Sequence, residues 1–537
     1  MSDVTVTVTG LPFDQKAVSG VAFDFSYNTI PVASLQLVSP YIEKNHRDFL
    51  CDPDSFKKKT RDSFVKISVK SKTGCLNFEG VFDGLSFSQS PGAFSYSAII
   101  KSKFQSLLEI YPKLIGLDPS SLVIFKRDNQ FMQVHAGNAE NPFQSLKVGG
   151  LTVPVAGKSL LELYIAVLKH VLTSQQNLVS NTTQEFAKIL KLMQDDIYKK
   201  NIEKAMSILD EIDISAVKDN KILAEFCLSW IVDSIVDSPD TMWDSLLSGL
   251  EGMGCLLLPG VKKLFIIPKA NFLKLEGSAP SSYGAQSTEP NQAWPADYSN
   301  FMISDRSYRN LRACFVVPAD INAQSSAAPY GSWKSNIFGV YPKPGSSDIK
   351  DDGSTGILIK PVPPFFANNL TAMYTYNQLV QSNLKEAEKP FAGTPVTESN
   401  TVSQQITGDA KKNEALIDGY SEIYDDLAKS YFLQEKYEER GGAIQLLFNP
   451  KWVPGTTGFV YSRHPSLCYN FFVSSVKHEI SLGSGNSGYA QTTVSFSSSR
   501  YAGNPSSVPG TDKVDLYKYD EGKMKSVQQQ WLSDIGN

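Results

Sequence analysis

Residues 480–491 read ISLGSGNSGYAQ. Gly483, Gly485 and Gly488 spell G-x-G-x-x-G behind an apolar run, the outline of a dinucleotide-binding loop. Such a loop needs a helix after it, whose N-terminal amides hold the pyrophosphate. The chain instead continues YAQTTVSFSSS, in which Ala490, Thr492, Val494 and Phe496 alternate with Tyr489, Gln491, Thr493 and Ser495. Before the glycines, Val476, His478, Ile480 and Leu482 alternate with Lys477, Glu479 and Ser481. Period 2 on both sides predicts two antiparallel strands joined by a hairpin turn, where Gly and Asn supply positive φ. The stretch is geometry, and no cofactor is expected from it.

The same alternation fills the first hundred residues. Val4, Val6 and Val8 share a face, as do Val21, Phe23, Phe25 and Tyr27, and then Leu35 and Leu37. Val65, Ile67 and Val69 follow, then Leu85 and Phe87, then Phe94, Tyr96, Ala98 and Ile100. Short alternating runs broken by Gly, Pro and Ser predict a small antiparallel barrel or sandwich. Residues 102–113 predict a short helix closing it. Residues 155–251 change to helical spacing, with stripes at Leu160, Leu161, Tyr164 and Leu168, at Phe186, Ile189 and Met193, and at Leu223, Phe226 and Trp230. A last helix in this region is expected to start at Ser238-Pro239 and end near Gly252. CLLLPGVKKLFIIP (255–268) reads as strand, Pro-Gly turn, strand. Two loop-rich tracts, 276–300 and 318–356, flank the strand LRACFVVP (311–318); GILIKPVPPFF (356–366) begins another. Residues 409–440 predict a long helix that Gly441-Gly442 would end as a C-cap. Strands resume at 443, and a polar tail carries a short helix around 522–534.

The bulk composition narrows the function classes. The chain has 537 residues, 42% of them apolar and 20% charged, enough for several domains with real cores. With 51 basic and 55 acidic residues the net charge is −4, so no basic field argues for nucleic-acid binding. MSDVTVTVTG has no basic n-region or apolar h-region, so no signal peptide is read there. No run approaches the roughly 20 apolar residues of a membrane helix. The six cysteines are scattered without a CxxC pair, so neither a disulfide framework nor a zinc site is expected, and folding in a reducing cytoplasm is.

Motifs for catalysis fail on inspection. His478-Glu479 begins like H-E-x-x-H, but the fifth position is Leu482 and the setting is a strand. His464 and Cys468 sit four apart across Pro465, which disfavours the helix that would join them. The pairs Asp195-Asp196, Asp351-Asp352, Asp425-Asp426 and Glu438-Glu439 read as solvated faces, and Lys57-Lys58-Lys59 with Arg61 reads as a solvated loop. There is no P-loop, G-x-S-x-G or EF-hand. No catalytic, cofactor-binding or metal-binding residue is nominated, and the chain is expected not to be an enzyme.

An internal echo organises the rest. Residues 75–98 align without a gap over 468–491, pairing Cys75 with Cys468, Asn77 with Asn470, Phe78 with Phe471, Ser88 with Ser481, Gly92 with Gly485 and Tyr96 with Tyr489. Each copy has the order strand, strand, glycine-containing turn, strand. The expected fold class is therefore α+β: two related antiparallel β-barrels with a helical region between them and long loops. The expected domains are a first barrel at 1–125, a mainly helical part at 126–253, strands and loops at 254–408, a helix at 409–442, closing strands at 443–505 and a tail at 506–537.

Two stretches resemble the tail-hub or baseplate-hub proteins of bacteriophages, and the hub part of type VI secretion spikes. One is AFDFSYNTIPVASLQL (22–37) with VKISVKSKTGCLNFEGVFDGLSFS (65–88). The other is residues 446–500, with Pro454 and Gly455 followed by a strand carrying Val473, Val476 and His478. The resemblance implies a homotrimer whose subunits each carry two tail-tube-like barrels, adapting a six-fold tube to a three-fold spike. It implies as partners the tail tube protein, a central spike or tip protein, a tape-measure protein and surrounding baseplate proteins, with DNA only as passing cargo. It implies a place in the virion tail after assembly in host cytoplasm. The alternatives are a peripheral baseplate or receptor-binding β-rich tail protein, and a tail-associated envelope or capsule hydrolase.

Overall fold

The computed structural model describes residues 4–38, 51–60, 63–90, 93–111, 133–138, 141–148, 151–154, parts of 161–173, 196–217, 241–269, 291–294, 296–305, 311–318, 339–342, 355–362, parts of 425–436, 440–462, 468–482, 488–503 and 521–536. Alternating sequence gives strands β1 (Thr5–Thr9), β2 (Val18–Ser26), β3 (Thr29–Leu37), β4 (Phe64–Ser71), β5 (Gly74–Ser90) and β6 (Ala93–Lys101). In β3, Ala33, Leu35 and Leu37 are buried while Ser34 and Gln36 face outward, which is the period-2 pattern made physical. The strands pair antiparallel in the order β1-β4-β5-β6-β3-β2. Helix α1 (Pro53–Thr60) starts where Asp52 Oδ1 accepts the Ser55 N–H at 3.0 Å. Lys57–Lys59 therefore sit on a helix and not in the solvated loop expected.

A three-stranded antiparallel sheet comes next, of β7 (Gln133–Asn138), β8 (Asn141–Val148) and β9 (Leu151–Pro154), in a region read as mainly helical. Its runs are too short and polar to have shown a clear period. The expected helices begin after it. Leu161, Tyr164, Ile165, Leu168 and Leu172 are buried on one, and α2 (Asp196–Asp210) and α3 (Met242–Gly252) come after it. The stripes at Phe186–Met193 and Leu223–Trp230 lie outside the described residues. Helix α3 starts later than Ser238-Pro239: Thr241 is its N-cap, accepting the Asp244 N–H at 3.2 Å. A hairpin of β10 (Cys255–Pro259) and β11 (Leu264–Pro268) forms as expected, every residue of both strands buried. The turn between β2 and β3 docks on it. Asn28, at φ 59°, donates its N–H to Leu257 O at 2.7 Å and accepts the Leu257 N–H on Oδ1 at 2.8 Å.

The C-terminal half contains β12 (Gln292–Ala293), β13 (Tyr298–Asp305), a small sheet of β14 (Leu311–Pro318), β15 (Gly339–Tyr341) and β16 (Gly356–Val362), then β17 (Arg440–Leu447), β18 (Thr457–Tyr461), β19 (Cys468–Ser481), β20 (Tyr489–Gly503) and helix α4 (Glu521–Asp534). The described part of the 409–440 helix, within 425–436, is helical, but Gly441 and Gly442 do not cap it. They belong to β17 and pair with Ser304 and Ile303 of β13. A Cβ on Gly442 would run into Met302 O and the Phe496 ring, so close packing of strands demands the glycine.

The strand order of this half is β12-β18-β19-β20-β17-β13. It repeats the first half position for position: β4, β5, β6, β3 and β2 correspond to β18, β19, β20, β17 and β13. Only the outer strand differs, β12 being parallel to β18 where β1 is antiparallel to β4. Two bulges repeat as well. The β2/β3 ladder shifts between Val18 and Gly20, and the β13/β17 ladder shifts between Tyr298 and Asn300. The skipped residues, Ser19 and Ser299, each donate a hydroxyl to the facing glutamine carbonyl, Gln36 O at 3.2 Å and Gln445 O at 3.1 Å. The β5/β6 ladder shifts between Phe82 and Gly84, and the β19/β20 ladder between Val473 and Ser475. These ladders equate Phe87 with His478 and Tyr96 with Thr492. The gapless echo paired Phe87 with Ile480 and Tyr96 with Tyr489, so it found the right strands in the wrong register.

The two halves are not separate barrels in the strand pairing. β2 pairs with β19, so all twelve strands form one sheet. Among the described residues no ladder closes either half on itself. One core underlies the first half, the helices and the β10–β11 hairpin; a second, with Tyr298, Ile444, Trp452, Phe471, Val476 and Phe496, underlies the C-terminal half.

Candidate assembly interface

The junction between the halves joins two strand edges. Residues 20–26 of β2 run antiparallel to 475–481 of β19, and Leu482 N–H extends the ladder to Ser19 O at 2.7 Å. Val21, Phe23 and Phe25 stand opposite Ile480, His478 and Val476, and all six side chains are buried. On the other face Asp24 opposes Lys477, and the Lys477 ammonium reaches Glu479 at 2.5 Å. Burial raises the Asp24 carboxyl above its ordinary range, against the lowering field of Lys477. One face of the junction is thus dry and aromatic, and the other is charged and wetter.

His478 lies at its centre. The ring is fully buried, edge-on to Phe25 at 6.2 Å and to Phe448 at 5.4 Å. Nδ1 shares a hydrogen bond with Thr492 Oγ1 at 2.8 Å, while Nε2 is buried with no partner among the described residues. Desolvation lowers its pKa to about 3, so the imidazole is neutral at physiological pH. His478 thus lies buried on a strand, the setting that had argued against H-E-x-x-H.

The other residues weighed in the sequence do not converge. Ile480–Ser481 and Tyr489–Gln491 flank the glycine-rich stretch as strands, with Ser481 opposite Tyr489; residues 483–487 and His464 lie outside the described residues. Cys468 is buried, and desolvation pushes its thiol up to about 12, so it is not a thiolate nucleophile. Asp425 accepts the Val340 N–H at 2.9 Å, a structural role. Among the described residues no three His, Cys, Asp or Glu side chains are grouped to hold a metal.

Two arrangements carried no sequence signal. Lys269 is 5% exposed, with its ammonium 4.4 Å over the Tyr431 ring, and Lys360 lies 4.9 Å from the same ring. Desolvation lowers Lys269 to about 8 and raises the neighbouring Cys314 thiol to about 12. Separately, α4 locks the tail onto the core. Trp531 is fully buried, donates Nε1–H to Pro259 O at 3.1 Å and meets Phe25 edge-on at 5.6 Å. Asp534 Oδ2 accepts the N–H groups of Val261 and Lys262 at 2.5 and 2.8 Å.

The sequence matches no protein-family model and no curated protein. Among solved structures the chain is similar to a tail protein from Neisseria meningitidis MC58, at 10% identity and TM-score 0.37, over 93% of this chain and 96% of that one. It is similar to the 43 kDa tail protein of prophage MuSo2 from Shewanella oneidensis, at 9% identity and TM-score 0.37, over 95% and 100%. It is also similar to an E. coli component of the type VI secretion system, at 6% identity and TM-score 0.32, over 92% and 76%.

Proposed function

We propose that this chain is a structural, non-enzymatic tail hub, a homotrimer at the distal end of a phage tail. Each half acts as a tube-like barrel unit, and three subunits present six such units, so a three-fold spike or tip can join a six-fold tube. The tail tube protein, the spike or tip, a tape-measure protein and surrounding baseplate proteins are its partners, and DNA passes through its channel as cargo. The observation that carries this reading is the repeated strand order with its matched bulges, fused edge to edge through β2 and β19. The sequence resemblance at 22–37, 65–88 and 446–500 supports it independently. Imaging of assembled particles tests it. Three copies coaxial with the tube are expected; six or more peripheral copies would overturn it in favour of a receptor-binding or peripheral baseplate protein.

A further inference from the structure

The last turn of α4 sits in a seat built by residues far earlier in the chain. In the turn between β10 and β11, Val261, Lys262 and Lys263 aim three successive N–H groups at Asp534 Oδ2, at 2.5, 2.8 and 3.4 Å. Converging amides of this kind form an anion-binding nest, and here the anion is a side-chain carboxylate. The turn is shaped for it. Gly260 donates its N–H to Lys263 O at 2.9 Å, and a Cβ on Gly260 would run into the Asp534 carboxylate. Just before the nest, Pro259 O accepts the Trp531 indole N–H at 3.1 Å. Past the helix, Ile535 O accepts the Asn77 N–H of β5 at 2.7 Å, and Gly536 turns the chain at φ 92° where a Cβ would strike the Asn77 side chain. Pro259 lies 272 residues upstream of Trp531, and residues 504–520 join α4 to β20. The seat also reaches the junction of the halves. Trp531 stands edge-on to Phe25 at 5.6 Å, and Phe25 stands edge-on to His478 at 6.2 Å, on the dry face where β2 pairs with β19.

We infer that the surface under α4 is a peptide-binding site and that α4 is its ligand held in cis, a strap that docks and releases as a unit and covers the dry face of the β2–β19 junction at Phe25. The ligand class follows from the groups that receive it. The nest takes a carboxylate, Pro259 O takes an indole N–H, and the Asn77 N–H takes a backbone carbonyl. The site therefore fits a helical segment with an indole and, three residues on, a carboxylate, whose chain continues past the helix end. Each of these bonds is made to a backbone group of the seat, so recognition lies in the shape of one turn and one strand edge. A ligand on a short tether has an effective concentration on the order of millimolar. A seat of about micromolar affinity is then filled about a thousand times more often than it is empty. Such a strap is shut at rest and yields to a segment of the same chemistry supplied in excess. The inference stands apart from the hub reading.

Cutting the tether tests whether the strap binds on its own. A protease site is placed within 504–520 of the full-length chain, the folded protein is cut, and the released piece is dialysed away. The remaining chain is expected to stay folded and to bind a fluorescent peptide of residues 519–537 saturably, read by anisotropy. A piece that survives dialysis and is exchanged by excess labelled peptide is the tight-binding form of the same result. Peptides with Trp531→Ala or Asp534→Ala are each expected to bind about tenfold more weakly or worse, since each leaves a buried partner unpaired. Gly260→Ala in the seat is expected to weaken the parent peptide by a similar factor and the Asp534→Ala peptide by little, because loss of the carboxylate makes room for the methyl group. Amide exchange reads the cover over the junction: 20–26 and 475–481 should exchange faster in the cut chain and slow again with peptide, while the β13/β17 ladder stays unchanged. A folded cut chain that binds no peptide, or binds parent and Asp534→Ala peptides alike, overturns the site. A chain that unfolds throughout on cutting makes α4 part of one cooperative core and overturns the strap. Unchanged exchange at 20–26 overturns the cover. In the uncut chain Gly260→Ala gives a second measure: faster exchange of 521–536 is expected, and equal exchange in parent and variant overturns the nest. None of these results bears on the hub reading.

Discussion

Acid is expected to weaken the β2–β19 junction through His478. In the folded protein the imidazole is neutral, with its pKa lowered to about 3 by burial against Phe25 and Phe448. In the unfolded chain it returns to about 6.5. Below that value the unfolded state binds a proton that the folded state refuses, so stability is full above about pH 6.5 and is lost as pH falls toward about 3. Between pH 7 and pH 5 the loss from this residue is about 2 kcal/mol, at about 1.4 kcal/mol per pH unit once titration is under way. For a cooperative unit of about 150–250 residues that is a melting shift of about 4–8 °C. Asp24 acts in the opposite sense, because burial raises its carboxyl against the lowering field of Lys477. The informative quantity is therefore the difference between parent and variant. His478→Phe installs the residue that the first half has at the corresponding position, Phe87. Thr492 keeps its hydroxyl bonded through the Asn449 N–H at 2.8 Å, so the variant is expected to fold. Thermal melts at pH 7 and pH 5 should show the parent losing about 2 kcal/mol more than the variant. Parallel losses in the two proteins would refute the assignment of a neutral, dry imidazole to this junction.

Other perturbations separate the remaining parts of the fold. Trp531→Ala empties a fully buried site and orphans Pro259 O, and is expected to cost about 3–5 kcal/mol, read by denaturant unfolding and by faster proteolysis between β20 and α4. Lys269→Met is expected to raise the melting temperature at pH 7. Burial lowers the folded pKa of this lysine to about 8, so the parent gains stability as pH rises from 8 toward 10.5, and the advantage of the variant shrinks over that range. Gly442→Val drives a side chain into Met302 O and the Phe496 ring, and should loosen β13 from β17, measured as faster amide exchange of β13.

Much of the strand content was legible because one face of each strand is buried and the other is not. The runs at Val21–Phe25, Leu35–Leu37, Val65–Val69 and Val476–Ile480 all became strands, and their apolar face went inward. The readings that failed depended on partners distant in sequence. Gly-Gly behind a helical stripe is the signal of a C-cap, and it is equally the signal of two strands in close approach. Only Met302 and Phe496, both more than fifty residues away, decide which. Lys269 gave no signal at all, since an isolated lysine after a hydrophobic run reads as a surface charge until the Tyr431 ring is placed over it. The edge pairing of β2 with β19 was equally silent, because an alternating strand does not announce its neighbour.

The internal echo failed in a more instructive way. Side-chain identity led to a gapless alignment, and a gapless alignment assumes that the turns of the two copies are equally long. They are not. Two residues, 91–92, separate β5 from β6, whereas seven, 482–488, separate β19 from β20. The extra five residues displace everything after the turn, so one offset cannot serve both strands, and the best single value falls between the two correct ones. The bulges do not suffer this error, because each is defined by which backbone groups pair across a ladder and not by counting along the chain. G-x-G-x-x-G falls in this longer connection, while the strands on either side of it are held in common. A six-residue fingerprint confined to a seven-residue connection, where the first copy has only two residues, belongs to the length of one hairpin, and the strands that flank it belong to the wall.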